Sequence, residues 1–245
     1  MISNEVLWLL FIFVELCLAV LAFYLWRRNG AYAMIAMSTI ICNIQVIKTV
    51  KIFGIVATLG NIVYASIFFN TDILSEIYGK EAARRGVWIG FYTLIVSMVL
   101  MQIAIRFVPD VSDWAQPHLS AIFNFFPRVV IASISAYLLS QHHDVWAFHF
   151  WKEKTEGRFL WLRNNASTMV SQFIDSIVFC TIAFLGIFEF KVFIQILITT
   201  YLFKWIVAAL DTPFLYLARG LHHRYPIQSS GGYSPSLDEE SRIKF

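Results

Sequence analysis

Charge is scarce in this chain. Only 14% of its 245 residues are charged, while 58% are hydrophobic. That mixture cannot clothe a soluble globule in polar surface, and it fits a polytopic membrane protein. Cysteine is scarcer still. Cys17, Cys42 and Cys180 all lie within apolar runs, without the paired spacing of a disulfide framework or a zinc site. They read as small buried hydrophobes. The formal net charge of +3 is too small, and too dispersed among loops, to indicate nucleic acid. No Walker-type phosphate loop and no HExxH signature occurs, so the chain carries no ATPase of its own and no recognised zinc motif. No cofactor is implied. What is abundant is aromatic surface: 17% of residues, including 23 Phe and 8 Trp, suited to lipid and its interfaces.

The first charges, Glu5 and Glu15, are acidic, and the basic pair Arg27-Arg28 follows the first apolar run. That order predicts a spanning helix and not a secretory signal. Seven apolar segments approach the ~20 residues needed to cross a bilayer. They cover approximately 6–26, 31–50, 55–77, 87–107, 127–150, 168–188 and 192–217, with the second joined to the third by a short turn around Gly54 to Gly60. Basic residues alternate between the ends. Arg27 and Arg28 follow the first segment; Lys80, Arg84 and Arg85 the third; Lys152, Lys154, Arg158 and Arg163 the fifth; Arg219, Arg224, Arg242 and Lys244 the seventh. The positive-inside rule then puts the N-terminus outside and the C-terminus in the cytoplasm. The membrane-embedded domain is expected to cover 1–225, and the Ser- and Gly-rich stretch 226–245 is expected to be a disordered cytoplasmic tail.

Polar residues inside such segments are expensive and face a partner or a cavity. The richest stretch is RNNASTMVSQFIDSIVFCTIAF, residues 163–184. It begins as a polar turn and continues as a helix. Ser167, Ser171 and Asp175 recur at i, i+4, i+8, flanked by Thr168, Gln172 and Ser176, and draw one polar stripe. Such a stripe, with one carboxylate, suits a polar, flat, largely neutral ligand. Asn70, Asp72 and Glu76 close the third segment, and the two acids share a helix face. For Asp72 a proton or substrate site and an interfacial pair with Lys80, Arg84 and Arg85 both fit; for Glu76 the interfacial role is expected. Arg128 opens the fifth segment, where it could snorkel or face a cavity. Tyr137, Gln141 and Asp144 make a second polar face. His142, His143, Asp144 and His149 match no metal motif and read as interfacial. Gly86 with Gly90, and Ala132 with Ala136, are small-residue pairs suited to helix packing. Lys204 needs a partner, for which Asp175 and Asp211 are the natural candidates, and Pro213 is expected to kink or end the last helix. Glu15 has no obvious partner.

Four stretches together resemble a known family: NTDILSEIYGKEAARR (70–85), RVVIASISAYLLSQHHDVWAF (128–148), RNNASTMVSQFIDSIVFCTIAF (163–184) and KWIVAALDTPFLY (204–216). They resemble the queuosine precursor transporter family, also called the vitamin uptake transporter family. The resemblance implies a prokaryotic inner-membrane importer of 7-deazaguanines: queuine, 7-cyano-7-deazaguanine or 7-aminomethyl-7-deazaguanine. It implies an all-α polytopic fold with a six-helix core similar to the substrate-binding subunits of energy-coupling-factor vitamin importers, to which residues 6–26 add a helix. The partners it implies are the small-molecule substrate and the lipid bilayer, with a homodimer and an energy-coupling partner left open. Within that frame the substrate-binding candidates are Asp175, Gln172, Ser171, Asn70, Asp72, Gln141, Arg128 and Lys204. A transporter of another vitamin or nucleobase-like molecule, an intramembrane metal-dependent enzyme and a non-catalytic scaffold are the competing classes.

Overall fold

The computed structural model describes residues 3–154 and 160–224, so the expected tail lies outside the described residues. The fold is mostly helical. In chain order it contains α1 (Asn4–Gln45), a hairpin of β1 (Thr49–Ile52) and β2 (Ile55–Thr58), α2 (Gly60–Tyr78), α3 (Lys80–Ala104), α4 (Gln116–Phe123), α5 (Phe126–Lys154), α6 (Leu160–Phe184) and α7 (Phe190–Arg224). By length and composition, four stretches among the described residues can cross a membrane: Asn4–Gln45, Lys80–Ala104, Gln116–Ser140 and Phe190–Val207.

The 42 residues of α1 are two helices folded back on each other. Arg27 breaks the helical backbone with φ 54 and ψ −129, a region costly for a residue with a Cβ. Gly30 makes the reversal possible, since a Cβ there would sit 2.0 Å from the backbone oxygen of Ala22. Further from the bend, the Ser38 hydroxyl donates to Glu15 Oε1 at 3.3 Å. This gives Glu15, buried in an apolar neighbourhood, the partner that its sequence context did not reveal. One face of the first helix, with Trp8, Ile12, Leu16 and Phe23, packs inward against α2 and α7. The opposite face leaves Leu10, Phe13, Leu21 and Trp26 exposed, as lipid-facing residues are. On α3, Gly86 and Gly90 lie close against α1, where an added Cβ would sit 2.8 Å from Ile35 Cδ1 and 3.2 Å from Thr39 Oγ1 respectively, the close approach expected of that pair.

Several boundaries differ from the apolar pattern. The second segment ends at Gln45, and 49–58 form an antiparallel hairpin instead of the ends of two helices. Val50, Ile52, Ile55 and Val56 are β-branched, which suits a strand as well as an apolar helix. The hairpin is tied down at both edges. Asn4 Nδ2 donates to the Lys51 carbonyl and the Phe53 amide donates to Glu5. On the other edge, the Val56 amide donates to Gln195 Oε1 and Thr199 Oγ1 donates to the Val56 carbonyl. α2 and α3 are separated by Gly79 alone, whose φ of 86 favours glycine. α4 went unread in the sequence. The Asp113 carboxylate accepts from the amides of Ala115 and Gln116 and so satisfies donors at its start. In the loop before it, bonding from Ser112 holds the Asp110 carboxyl below the usual range. The stretch read as a polar turn at 163–166 is already helical in α6, and α7 runs through Pro213 to Arg224 without ending there.

Candidate functional site

Five helices converge on one cavity, whose roughly 390 Å³ of empty space includes the part open to its surroundings. The end of α1 brings Cys42, Asn43 and Val46; the start of α2 brings Gly60, Asn61 and Tyr64. α5 contributes Ser133 and Ala136, α6 Asp175 and Phe179, and α7 Thr200 and Lys204. The residues on α1 and α2 immediately flank the β-hairpin, so the cavity lies toward the hairpin end of the bundle. The spacing of each pair explains the lining. Asn61 and Tyr64 are three apart, and Asp175 and Phe179, like Thr200 and Lys204, are four apart, so each pair shares a helix face.

Asp175 and Lys204 form an ion pair through Oδ2 and Nζ, and each side chain is only 9% exposed. Of the two partners open to Lys204 in the sequence, the fold therefore selects Asp175. The ammonium also lies 5.0 Å from the Tyr64 ring centroid, within reach of a cation–π contact. Asn43 is held in place: its Nδ2 donates to the Thr39 carbonyl at 2.7 Å, and its Oδ1 accepts from Ser133 Oγ at 3.0 Å. A second chamber, whose roughly 600 Å³ of empty space includes the part open to its surroundings, shares Asn43, Tyr64 and Ser133 with the first, and extends between α2, α3 and α5 past Phe68, Phe91 and Tyr137.

The remaining sequence candidates fall in different places. Ser171 is buried one turn before Asp175, with His143 Nδ1 3.1 Å from its hydroxyl. Gln172 directs a buried Oε1 that has no hydrogen-bond partner among the described residues. Asn70 is fully buried; its Nδ2 donates to the Ser66 carbonyl, while its Oδ1 is likewise unpartnered among the described residues. Asp72 stands on the outer side of α2, where its charge interacts with Asp211 of α7. Glu76 pairs with Arg219 at 3.0 Å, a partner on α7 and not in the basic loop. Arg128 donates from Nε to the Ile182 carbonyl and from a terminal nitrogen to that of Leu185. It thereby caps carbonyls at the C-terminal end of α6, where a cation also suits the helix dipole. The side chains of Gln141, His142, Asp144, His149, Ser167 and Thr168 lie outside the described residues. Among the described residues, no three His, Cys, Asp or Glu side chains gather as a metal site. Asn43, Asn61, Tyr64 and Thr200 were missed in the sequence. Each stands among other polar residues, Asn43 four after Thr39 and Thr200 four before Lys204, a signal shorter than the stripe at 167–176.

A bundle of helices, several of membrane length, around a cavity that carries a buried ion pair defines the class: a polytopic membrane protein. Comparison with known proteins then makes it particular. The family described as "Putative vitamin uptake transporter" matches residues 58–218, and the chain belongs to that family. It is a transporter and not an enzyme. It is 40% identical over 217 residues to the "Probable queuosine precursor transporter" of Bacillus subtilis, covering 88% of this chain and 95% of the relative. It is 29% identical over 170 residues to the "Queuosine precursor transporter" of Escherichia coli, covering 68% and 74% respectively. A third relative, the "Probable queuosine precursor transporter" of Haemophilus influenzae, is 29% identical over 133 residues, 54% of each chain. No solved structure gives a significant match.

Proposed function

We propose that this protein imports queuosine precursors, and that the Asp175–Lys204 cavity binds the 7-deazaguanine ring. The buried ion pair carries the reading. A 7-deazaguanine presents N1–H and a 2-amino group as donors beside O6 as an acceptor. A carboxylate accepts such side-by-side donors, as acidic side chains do on nucleobase edges. Lys204 contacts Oδ2 of Asp175, which leaves Oδ1 to accept from the ring. The ammonium retains N–H donors for O6. Phe179 and Tyr64, both on the cavity, supply faces for the ring, with stacking worth ~1–3 kcal/mol per base. Gln172, Ser171 and Asn70 are proposed as further polar contacts, and the oxygens of Gln172 and Asn70, without a partner among the described residues, suit donors that arrive with substrate. Gln141, whose side chain lies outside the described residues, remains a proposed contact. Asp72 serves a proton or substrate route along α2, and Arg128 shapes the end of α6 that closes the site.

The proposed frame is a six-helix core, similar to the substrate-binding subunits of energy-coupling-factor importers, with one added N-terminal helix. The second half of α1 followed by α2, α3, α5, α6 and α7 supports that count. The N-terminus lies outside and the C-terminus in the cytoplasm of a prokaryotic inner membrane, supported by Arg27, Arg28, Arg84, Arg85 and Arg219 gathering at one end of the bundle.

Thermal unfolding of the detergent-purified protein with queuine, its two precursors, guanine and adenine tests the reading. A ligand bound only by the folded state stabilises by about 2.7 kcal/mol at a hundredfold excess over its dissociation constant. Stabilisation by a deazaguanine, lost in Asp175→Asn, is the expected result. No stabilisation by any of them in a folded sample overturns it.

A further inference from the structure

We propose that this cavity discriminates by charge: it accepts an uncharged 7-deazaguanine, Lys204 disfavours cationic ones, and the second chamber receives the substituent at position 7. This rests on the deazaguanine reading above. Among the described residues that line the cavity, Asp175 is the one carboxylate and Lys204 the one ammonium. They are in direct contact and nearly buried, so the pair presents no net charge to a solute.

The second chamber continues the same balance. Its walls combine apolar surface from Ile67, Phe91 and Leu94 with the uncharged polar groups of Thr39, Thr71 and Tyr137. No charged side chain lines it among the described residues. A ring whose guanine edge meets Asp175 turns its five-membered side away from the pair, toward the wall that Asn43, Tyr64 and Ser133 share between the chambers. The 7-substituent then enters the second chamber.

An aminomethyl group is an alkylammonium at neutral pH, because its parent amine titrates in the range of lysine. In this chamber it loses its water without gaining a counter-charge, which is costly. The nearest carboxylate is already neutralised, and drawing on it brings the ammonium up against Lys204, a like-charge contact. A nitrile loses far less water and accepts a hydrogen bond from a hydroxyl such as that of Tyr137.

Isothermal titration of the detergent-purified full chain with 7-cyano-7-deazaguanine, 7-aminomethyl-7-deazaguanine and unsubstituted 7-deazaguanine tests this. Wild type should bind the cyano compound at least about tenfold more tightly than the aminomethyl compound, the scale of a modest like-charge penalty. Lys204→Met leaves a carboxylate without its partner, so the ranking should narrow or invert in favour of the amine. Ile67→Trp, which narrows the second chamber, should weaken both substituted compounds more than the unsubstituted ring. Equal or tighter binding of the amine by wild type overturns the charge proposal while leaving the deazaguanine reading standing. Binding of none of the three overturns that reading and the proposal with it. Where Lys204→Met fails to fold, the wild-type ranking decides alone.

Discussion

Two acid–base pairs join α7 to its neighbours, and they differ in almost everything but chemistry. Lys204 and Asp175 meet inside the bundle, each 9% exposed, on a cavity. Arg219 and Glu76 meet at the other end of the same helix, 53% and 45% exposed. The first has given up its water and depends on its partner. The second remains open to its surroundings, and a pair so placed contributes little. The number of ion pairs on a helix therefore says little about its stability or function. Burial decides which pair matters.

The sharpest way to break this contrast is to remove one half of the buried pair. Lys204→Met should destabilise the protein by about 3–5 kcal/mol, because an uncompensated carboxylate stays behind in the bundle. Chemical unfolding in detergent measures it. Combining that change with Asp175→Asn should recover much of the loss while abolishing deazaguanine binding, and binding measured beside unfolding separates stability from recognition. Arg128 is the intermediate case, a half-buried cation that bonds neutral carbonyls. Arg128→Ala should cost about 1.5–3 kcal/mol, and Arg128→Lys should restore only part of it, since one ammonium cannot reproduce the guanidinium fork. At the small end, Glu76→Gln should shift the unfolding midpoint by less than about 1 kcal/mol and become silent at high salt. A Glu76→Gln effect as large as that of Lys204→Met would erase the distinction between the pairs.

The site was partly legible before the fold was known. Asp175 stood out because a carboxylate recurs with Ser171 at helical spacing in an apolar run, and Lys204 because an ammonium there demands a partner. Choosing Asp175 over Asp211 needed the packing of α6 against α7. Asn43, Asn61 and Thr200 were overlooked: Asn43 follows Thr39 and Thr200 precedes Lys204 by four residues, a pairwise spacing shorter than the stripe at 167–176. The hairpin at 49–58 escaped for another reason: a β-branched apolar run satisfies a strand and a membrane helix alike, and only the bonds to Asn4, Glu5, Gln195 and Thr199 decide between them.

Composition and periodicity alone determined that this chain lives in a membrane and is helical, because lipid accepts only backbones whose polar groups are satisfied internally. They also marked which helix carries the polar stripe. Tertiary structure alone decided that residues 4–45 double back at Arg27, that Lys204 chooses Asp175, and that five helices leave between them a cavity whose one described carboxylate and one described ammonium pair with each other. Those outcomes depend on distances between residues far apart in the chain, where the cost of an unpaired buried charge is settled by whichever neighbour packing brings near.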